Sequence, residues 1–171
     1  MKQHHKPRER GVIGWREFIG LPELGISQMA AKIDTGARTS ALHTEDREPF
    51  ERNGERWVRF KVPKVKGAPP HLVEAPIAVE REIKNTSGVP ENRFVIRTLL
   101  MLGNHRWHID VSLADRDAMT FDLIIGRTAL KGRRILVDPA HSYLSVLRES
   151  PLPHIDEVHI PGIQPIERKN Q

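Results

Sequence analysis

The sequence predicts a mainly β domain with one short helix, and three observations carry that expectation. Two segments alternate apolar and polar residues, an Asn-Gly dipeptide stands where a hairpin turn belongs, and Gly and Pro clusters cut the chain into short pieces. Val58, Phe60 and Val62 alternate with Arg59 and Lys61, and Trp107, Ile109, Val111 and Leu113 alternate with His108, Asp110 and Ser112. Successive strand residues point to opposite faces, so each run buries one face of a sheet.

Taken in order, residues 1–11 are polar and form a flexible N-terminal tail, and residues 12–150 form the folded domain. Residues 151–171, with Pro151, Pro153, Pro161 and Pro165, make a C-terminal tail or arm. Asn53-Gly54 accepts the positive φ angles of a two-residue turn and links a strand on either side. Segments 72–83, 93–102, 121–125, 134–138 and 143–147 also read as strands, separated by Pro63, by Gly67-Ala68-Pro69-Pro70 and by Gly88-Val89-Pro90. Only Arg127–Lys131 reads as helix.

Composition narrows the chemistry. A 171-residue chain that is 38% hydrophobic and 29% charged has the length and apolar content for one packed core. With no cysteine there is no disulfide framework, no thiolate zinc site and no cysteine nucleophile, which suits a reducing cytoplasm. No segment approaches the ~20 apolar residues of a membrane-spanning helix, so a membrane is not an expected partner. Phosphate-loop and Gly-x-Gly-x-x-Gly patterns are missing, which disfavours an ATP-using enzyme. The net charge of +5 favours acidic partners through long-range attraction, although basic residues spread along the chain also make an ordinary solvated surface.

The informative segment is Met29-Ala30-Ala31-Lys32-Ile33-Asp34-Thr35-Gly36-Ala37-Arg38-Thr39-Ser40, a strand-like stretch that delivers an acid into a tight turn. The carboxylate handles a proton, the Thr hydroxyl braces the loop, and the missing Cβ of Gly permits close approach. This resembles the Asp-Thr-Gly-Ala loop of the retropepsins. A second block, Phe121-Asp122-Leu123-Ile124-Ile125-Gly126-Arg127, is similar to the late strand that passes behind that loop.

Further blocks are Gly14-Trp15-Arg16-Glu17, Leu21-Pro22, Ser40-Ala41-Leu42-His43, Trp57-Val58-Arg59-Phe60, Asp115-Arg116, Met119 and Val137-Asp138-Pro139. Together they resemble, over about residues 12–147, a bacterial branch of the family labelled ATP-dependent zinc proteases. That branch is associated with RimK-type ATP-grasp ligases that add glutamate to ribosomal protein tails. The resemblance implies a closed β-barrel equivalent to half of an acid protease. It implies a catalytic loop of Asp34, Thr35 and Gly36, with Ala37, Arg38, Ile125, Gly126 and Arg127 on the substrate side. One Asp-Thr-Gly supplies one carboxylate where the chemistry needs two, so it implies a homodimer across the active site, acting on a peptide or on acidic tails.

The label implies zinc, yet no His-Glu-x-x-His occurs and the nine histidines show no ligand spacing, so neither a metal nor any other cofactor is expected. Retroviral relatives carry an acid two residues after the Ala, where it pairs with the late Arg. Here that residue is Thr39, so Arg127 must find another partner. No Gly-rich flap is evident. The Asn53-Gly54 hairpin and the Pro63–Pro70 loop are the candidates to close over a substrate, and the stretch near 63–92 reads as an insertion. Three other readings stay open: a peptide-binding module without catalysis, a zinc-dependent hydrolase, and a basic RNA- or ribosome-associated factor.

Overall fold

In the computed structural model, which describes residues 11–65, 68–84, 90–115, 118–147 and 163–164, the chain is built almost wholly of strands. These are β1 (Gly11–Gly14), β2 (Arg16–Leu21), β3 (Ile26–Asp34), β4 (Ser40–His43), β5 (Glu45–Arg52), β6 (Glu55–Val62), β7 (His71–Lys84), β8 (Pro90–Leu102), β9 (His105–Ala114), β10 (Leu123–Gly126), β11 (Ile135–Asp138) and β12 (Ile163–Gln164). One helix, α1 (Arg127–Leu130), and two 3-10 turns, Pro22–Leu24 and Leu144–Leu147, complete the described elements.

Six strands close into a barrel in the order β2-β3-β10-β4-β9-β8, with β8 returning to β2 through the single register pair Gly20↔Met101. From β8 the sheet continues outward through β7 and β6 to β5. A separate two-stranded parallel ribbon joins β1 to β11. The expected alternation holds except at Ser112, which is buried: Val58, Phe60 and Val62, like Trp107, Ile109, Val111 and Leu113, lie in one continuous core, while Arg59, His108 and Asp110 are exposed. Asn53 and Gly54 take φ of 51° and 78° and turn β5 into β6, with Arg52 opposite Glu55. Both central residues at positive φ define the hairpin turn that Asn-Gly favours.

Several sequence expectations shift. Segment 143–147 is not a strand, because Tyr143 has φ 57° and the N–H groups of Leu144 and Ser145 donate to the Glu17 carboxylate instead of to a neighbouring strand. Just before the resulting 3-10 turn, Tyr143 stacks on Phe18 with ring centroids 4.3 Å apart. The helix ends at Leu130, with Lys131 as its C-cap, and β10 begins at Leu123 and runs through Gly126. Gly11, assigned to the tail, already pairs with Ile135 in the ribbon, and Ile163–Gln164 of the C-terminal arm pair with Val73 and Leu72 of β7. Residues 1–10 and the rest of the arm lie outside the described residues. The stretch 63–92 contains all of β7 and the start of β8, so it adds sheet to the barrel. Among the described residues no helix is long and apolar enough to cross a membrane.

Candidate active site

Asp34 is the last residue of β3, and β10 runs parallel beside it with Gly126 opposite Asp34. Ile33 and Ile125 on these strands are buried, so the two strand ends are anchored in the core while the next residues emerge. The Trp15 carbonyl accepts the Ile33 N–H at 2.8 Å and fixes the strand one residue before the acid.

The carboxylate folds back on its own loop. Asp34 Oδ1 accepts the N–H groups of Gly36 and Ala37, each at 3.1 Å, and the Ala37 N–H also reaches the Asp34 carbonyl at 3.2 Å. Such a turn is what Asp followed by Gly forms readily, the side chain mimicking a backbone acceptor. A Cβ on Gly36 would sit 3.2 Å from that Oδ1, so glycine keeps the carboxylate's seat clear. Among the described residues Oδ2 has no hydrogen bond, which leaves one oxygen held and the other available. Thr35 and Gly36 are exposed at the loop tip.

The far side of the loop is clamped by the residues at the end of β10. Arg127 N–H donates to Ala37 O at 2.9 Å. Arg38 O accepts both the Thr128 N–H at 3.1 Å and its hydroxyl at 2.7 Å. Gly126 N–H donates to Ser40 Oγ at 3.1 Å, and the Arg127 guanidinium donates to Gly36 O at 3.0 Å. Gly126 is there because nothing else fits: a Cβ would lie 2.6 Å from the Thr39 carbonyl carbon and 2.9 Å from Arg38 O. Trp107 secures α1 from below, its indole N–H donating to Ala129 O at 2.9 Å.

The structure thus brings Asp34, Thr35, Gly36, Ala37, Arg38, Gly126 and Arg127 into one constellation. Ile125 belongs to it from behind, its side chain fully buried in the core. Thr35 has no hydroxyl hydrogen bond among the described residues, so the loop's bracing comes from elsewhere in the same copy. That bracing is supplied by Ser40 and Thr128, to which no role was assigned. The signal available was a small hydroxyl residue at a strand end bordering the Asp and Gly blocks. The Asn53-Gly54 turn sits on the outermost strand pair of the sheet. Within Pro63–Pro70, residues 66–67 lie outside the described set, and Val65 bridges Ala68. Among the described residues no group of three or more His, Asp or Glu side chains is placed to hold a metal ion. The described donor set does not fit the zinc implied by the family label.

A closed six-stranded barrel that presents Asp-Thr-Gly at the end of one strand, backed by an apolar-apolar-Gly-Arg strand, is a retropepsin-like half-barrel. The chain belongs to the RimB-like family, described as retropepsin-like aspartic endopeptidase RimB, whose match covers residues 12–147. It is 40% identical over 144 residues to a probable alpha-L-glutamate ligase of Parasynechococcus marenigrum, covering 82% of this chain and 31% of that protein. It is 42% identical over 131 residues to a probable alpha-L-glutamate ligase of Desulfotalea psychrophila, covering 75% and 28% respectively. The chain therefore spans less than a third of the length of these curated relatives. The crystal structure of a Legionella pneumophila protein of unknown function superimposes with a TM-score of 0.67 at 25% identity, over 80% of this chain and 99% of that one.

Proposed function

We propose that the chain is an aspartic endopeptidase that works as a homodimer, with the Asp34 carboxylates of two copies facing each other across a twofold axis. The observation that carries this reading is the carboxylate itself, seated by two backbone N–H groups through Oδ1 beside an exposed loop tip, with Oδ2 unengaged among the described residues. Two such groups side by side cannot both ionise easily and share a proton. The ionised member takes a proton from water as its oxygen attacks the peptide carbonyl, and the protonated member donates to the carbonyl oxygen. Collapse of the tetrahedral species expels the amine with a proton and restores the dyad. The pH profile is bell-shaped and lies on the acidic side.

The exposed Thr35 hydroxyl suits a partner's loop. Val12 and Leu136, register partners on the β1–β11 ribbon and both exposed, offer an apolar surface on the same copy. Substrate preference for acidic tails is supported by the exposed Arg38 and Arg127 at the loop, by the exposed Lys131, Arg133 and Arg134 that follow α1, and by the names of the glutamate ligase relatives. Those names also favour a second reading, a non-catalytic module that holds an acidic tail for a ligase. A cytoplasmic setting follows if that ligase is the functional partner.

The test is cleavage of a diverse peptide library between about pH 4 and 8 by wild type and Asp34→Asn, with and without chelator, read by mass spectrometry. Products from wild type alone, unaffected by chelator, support the aspartic mechanism. Equal products from both proteins, or none, leave the binding module, and chelator-sensitive cleavage restores a metal hydrolase.

A further inference from the structure

β7 changes partners along its length. Residues 71–76 pair with β6, and residues 77–84 pair with β8. The switch falls at Pro76, which has no N–H to offer a second neighbour, and at a register shift between Ile77 and Val79. Past Ile96, β8 turns to other partners: Met101 pairs with Gly20 of β2, and the Leu99 N–H donates to Glu23 Oε2 at 2.8 Å. One edge of β7 is therefore left without β8 over residues 71–75.

The β5–β6–β7 sheet thus has two edges, and they are built differently. β5 is guarded: Pro49 lies within the strand, Asp46 takes φ 49°, and the pairing with β6 slips between Glu45 and Glu48. Such breaks keep a foreign strand from pairing. Over residues 71–76, β7 keeps an unbroken register with β6, and no Pro occurs from Leu72 to Ala75. Val73 and Ala75 are buried, whereas Leu72 is exposed and Glu74 half-buried. Two residues of this chain already use that edge. Ile163 and Gln164 pair antiparallel with Val73 and Leu72, on the side away from Phe60 and Lys61 of β6. Among the described residues nothing pairs with Glu74 or Ala75 on that side.

We propose that residues 72–75 of β7 form a strand-accepting site for an extended peptide of a partner protein, and that Ile163–Gln164 is its built-in competitor. The peptide runs antiparallel to β7; main-chain hydrogen bonds supply the affinity and the edge's alternation supplies the selection. Residues opposite one another in a sheet share a face, so the position opposite Val73 takes an apolar side chain and the position opposite Leu72 a polar one. The arm has that order, Ile then Gln, and Pro161 and Pro165 bracket it, so it offers a short strand that a longer one outcompetes. Being tethered, the arm competes at the effective concentration of an attached segment, about millimolar. No residue of the acid loop belongs to this site, so it stands apart from the catalytic reading.

The deciding experiment uses the full chain and two variants, Ile163→Pro and Gln164→Pro. Alternate residues of an antiparallel pair turn their N–H toward the neighbour, so between them the variants delete the arm's donor to β7. Both leave the core residues unchanged. In at least one of them the hydrogen-exchange protection of amides within residues 72–75 falls about five- to tenfold, the size of one hydrogen bond. A synthetic peptide of residues 159–167 restores that protection in the opened variant and binds wild type about tenfold or more weakly, because the tethered arm competes. The same peptide carrying Ile163→Asp fails to bind. Unchanged protection in both variants, no binding of the peptide to the opened variant, or equal binding of the two peptides overturns the site. Wild-type protection that rises with protein concentration assigns the edge to the arm of a second copy and overturns the built-in competitor.

Discussion

The Arg127 guanidinium donates to the Gly36 carbonyl at 3.0 Å while its own backbone N–H donates to the Ala37 carbonyl at 2.9 Å. One residue thus grips two consecutive peptide groups of the acid loop. In retroviral relatives the equivalent Arg pairs with an acid two residues past the Ala. Here Thr39 occupies that position and the Gly36 backbone carbonyl takes the carboxylate's place as the acceptor for Arg127.

Replacing Arg127 with Ala removes the guanidinium contact and leaves the backbone bond. The expected stability loss is modest, about 0.5–1.5 kcal/mol for one hydrogen bond from a charged, exposed donor. Catalysis by the proposed enzyme depends on carboxylate placement and should suffer more, with kcat/KM down about tenfold or more. A thermal melt beside peptide kinetics separates the two effects, and equal kinetics for Arg127→Ala and wild type would remove Arg127 from the site.

Gly126→Ala tests the close approach of the late strand to the loop. Its new methyl group would meet backbone atoms of Thr39 and Arg38 at 2.6–2.9 Å, and backbone cannot rotate away. Destabilisation of about 1–3 kcal/mol or more follows from overpacking, measurable by chemical denaturation. A variant that melts with wild type would mean the loop yields freely.

Much of this was legible in the sequence, for identifiable reasons. Asp34-Thr35-Gly36 and Leu123–Arg127 are local patterns whose chemistry depends on neighbours in the chain, and the strands around Phe60 and Ile109 announce themselves by alternation. What was not legible depends on contacts between distant segments. Leu144–Leu147 has the apolar content of a strand, and it becomes a 3-10 turn only because Glu17, far earlier in the chain, takes its N–H groups. Ser40 and Thr128 gain roles only once β10 lies beside β4.

Glu17 carries the next expectation. It is fully buried and accepts from Gly14 N–H at 2.7 Å, Leu144 N–H at 2.9 Å and Ser145 N–H at 3.2 Å, with the Ser145 hydroxyl as a further donor. Truncation in Glu17→Ala strands the buried Gly14 N–H and the half-buried donors of Leu144 and Ser145 at once and should cost about 3–5 kcal/mol. Glu17→Gln keeps one acceptor oxygen but turns an amide N–H₂ toward donors, so it should recover only part of the loss. Denaturation of both variants checks the order, and equal costs would mean that the acceptor geometry is irrelevant.

Glu74 gives a pH dependence with a definite sign. Its partial burial pushes the carboxyl pKa up, but hydrogen bonds and charge from Arg52 and Arg59 outweigh that and hold it below the usual carboxylate range. A carboxylate with a depressed folded-state pKa contributes stability that is fully present above its unfolded value and disappears as pH falls through the folded one. The two guanidinium side chains are 40% and 48% exposed, so solvent screening limits the contribution to about 1 kcal/mol. Glu74→Gln should therefore cost about that much near neutrality and progressively less in acid, where wild type and variant converge. Denaturation curves across the acid range test this, and a gap that stays constant or widens on acidification would show that the Arg52–Glu74–Arg59 cluster is not what holds the β5–β7 face together. The β5–β7 extension thus loosens in acid below the carboxylate range, because the carboxylate that joins its three strands loses the charge that Arg52 and Arg59 hold.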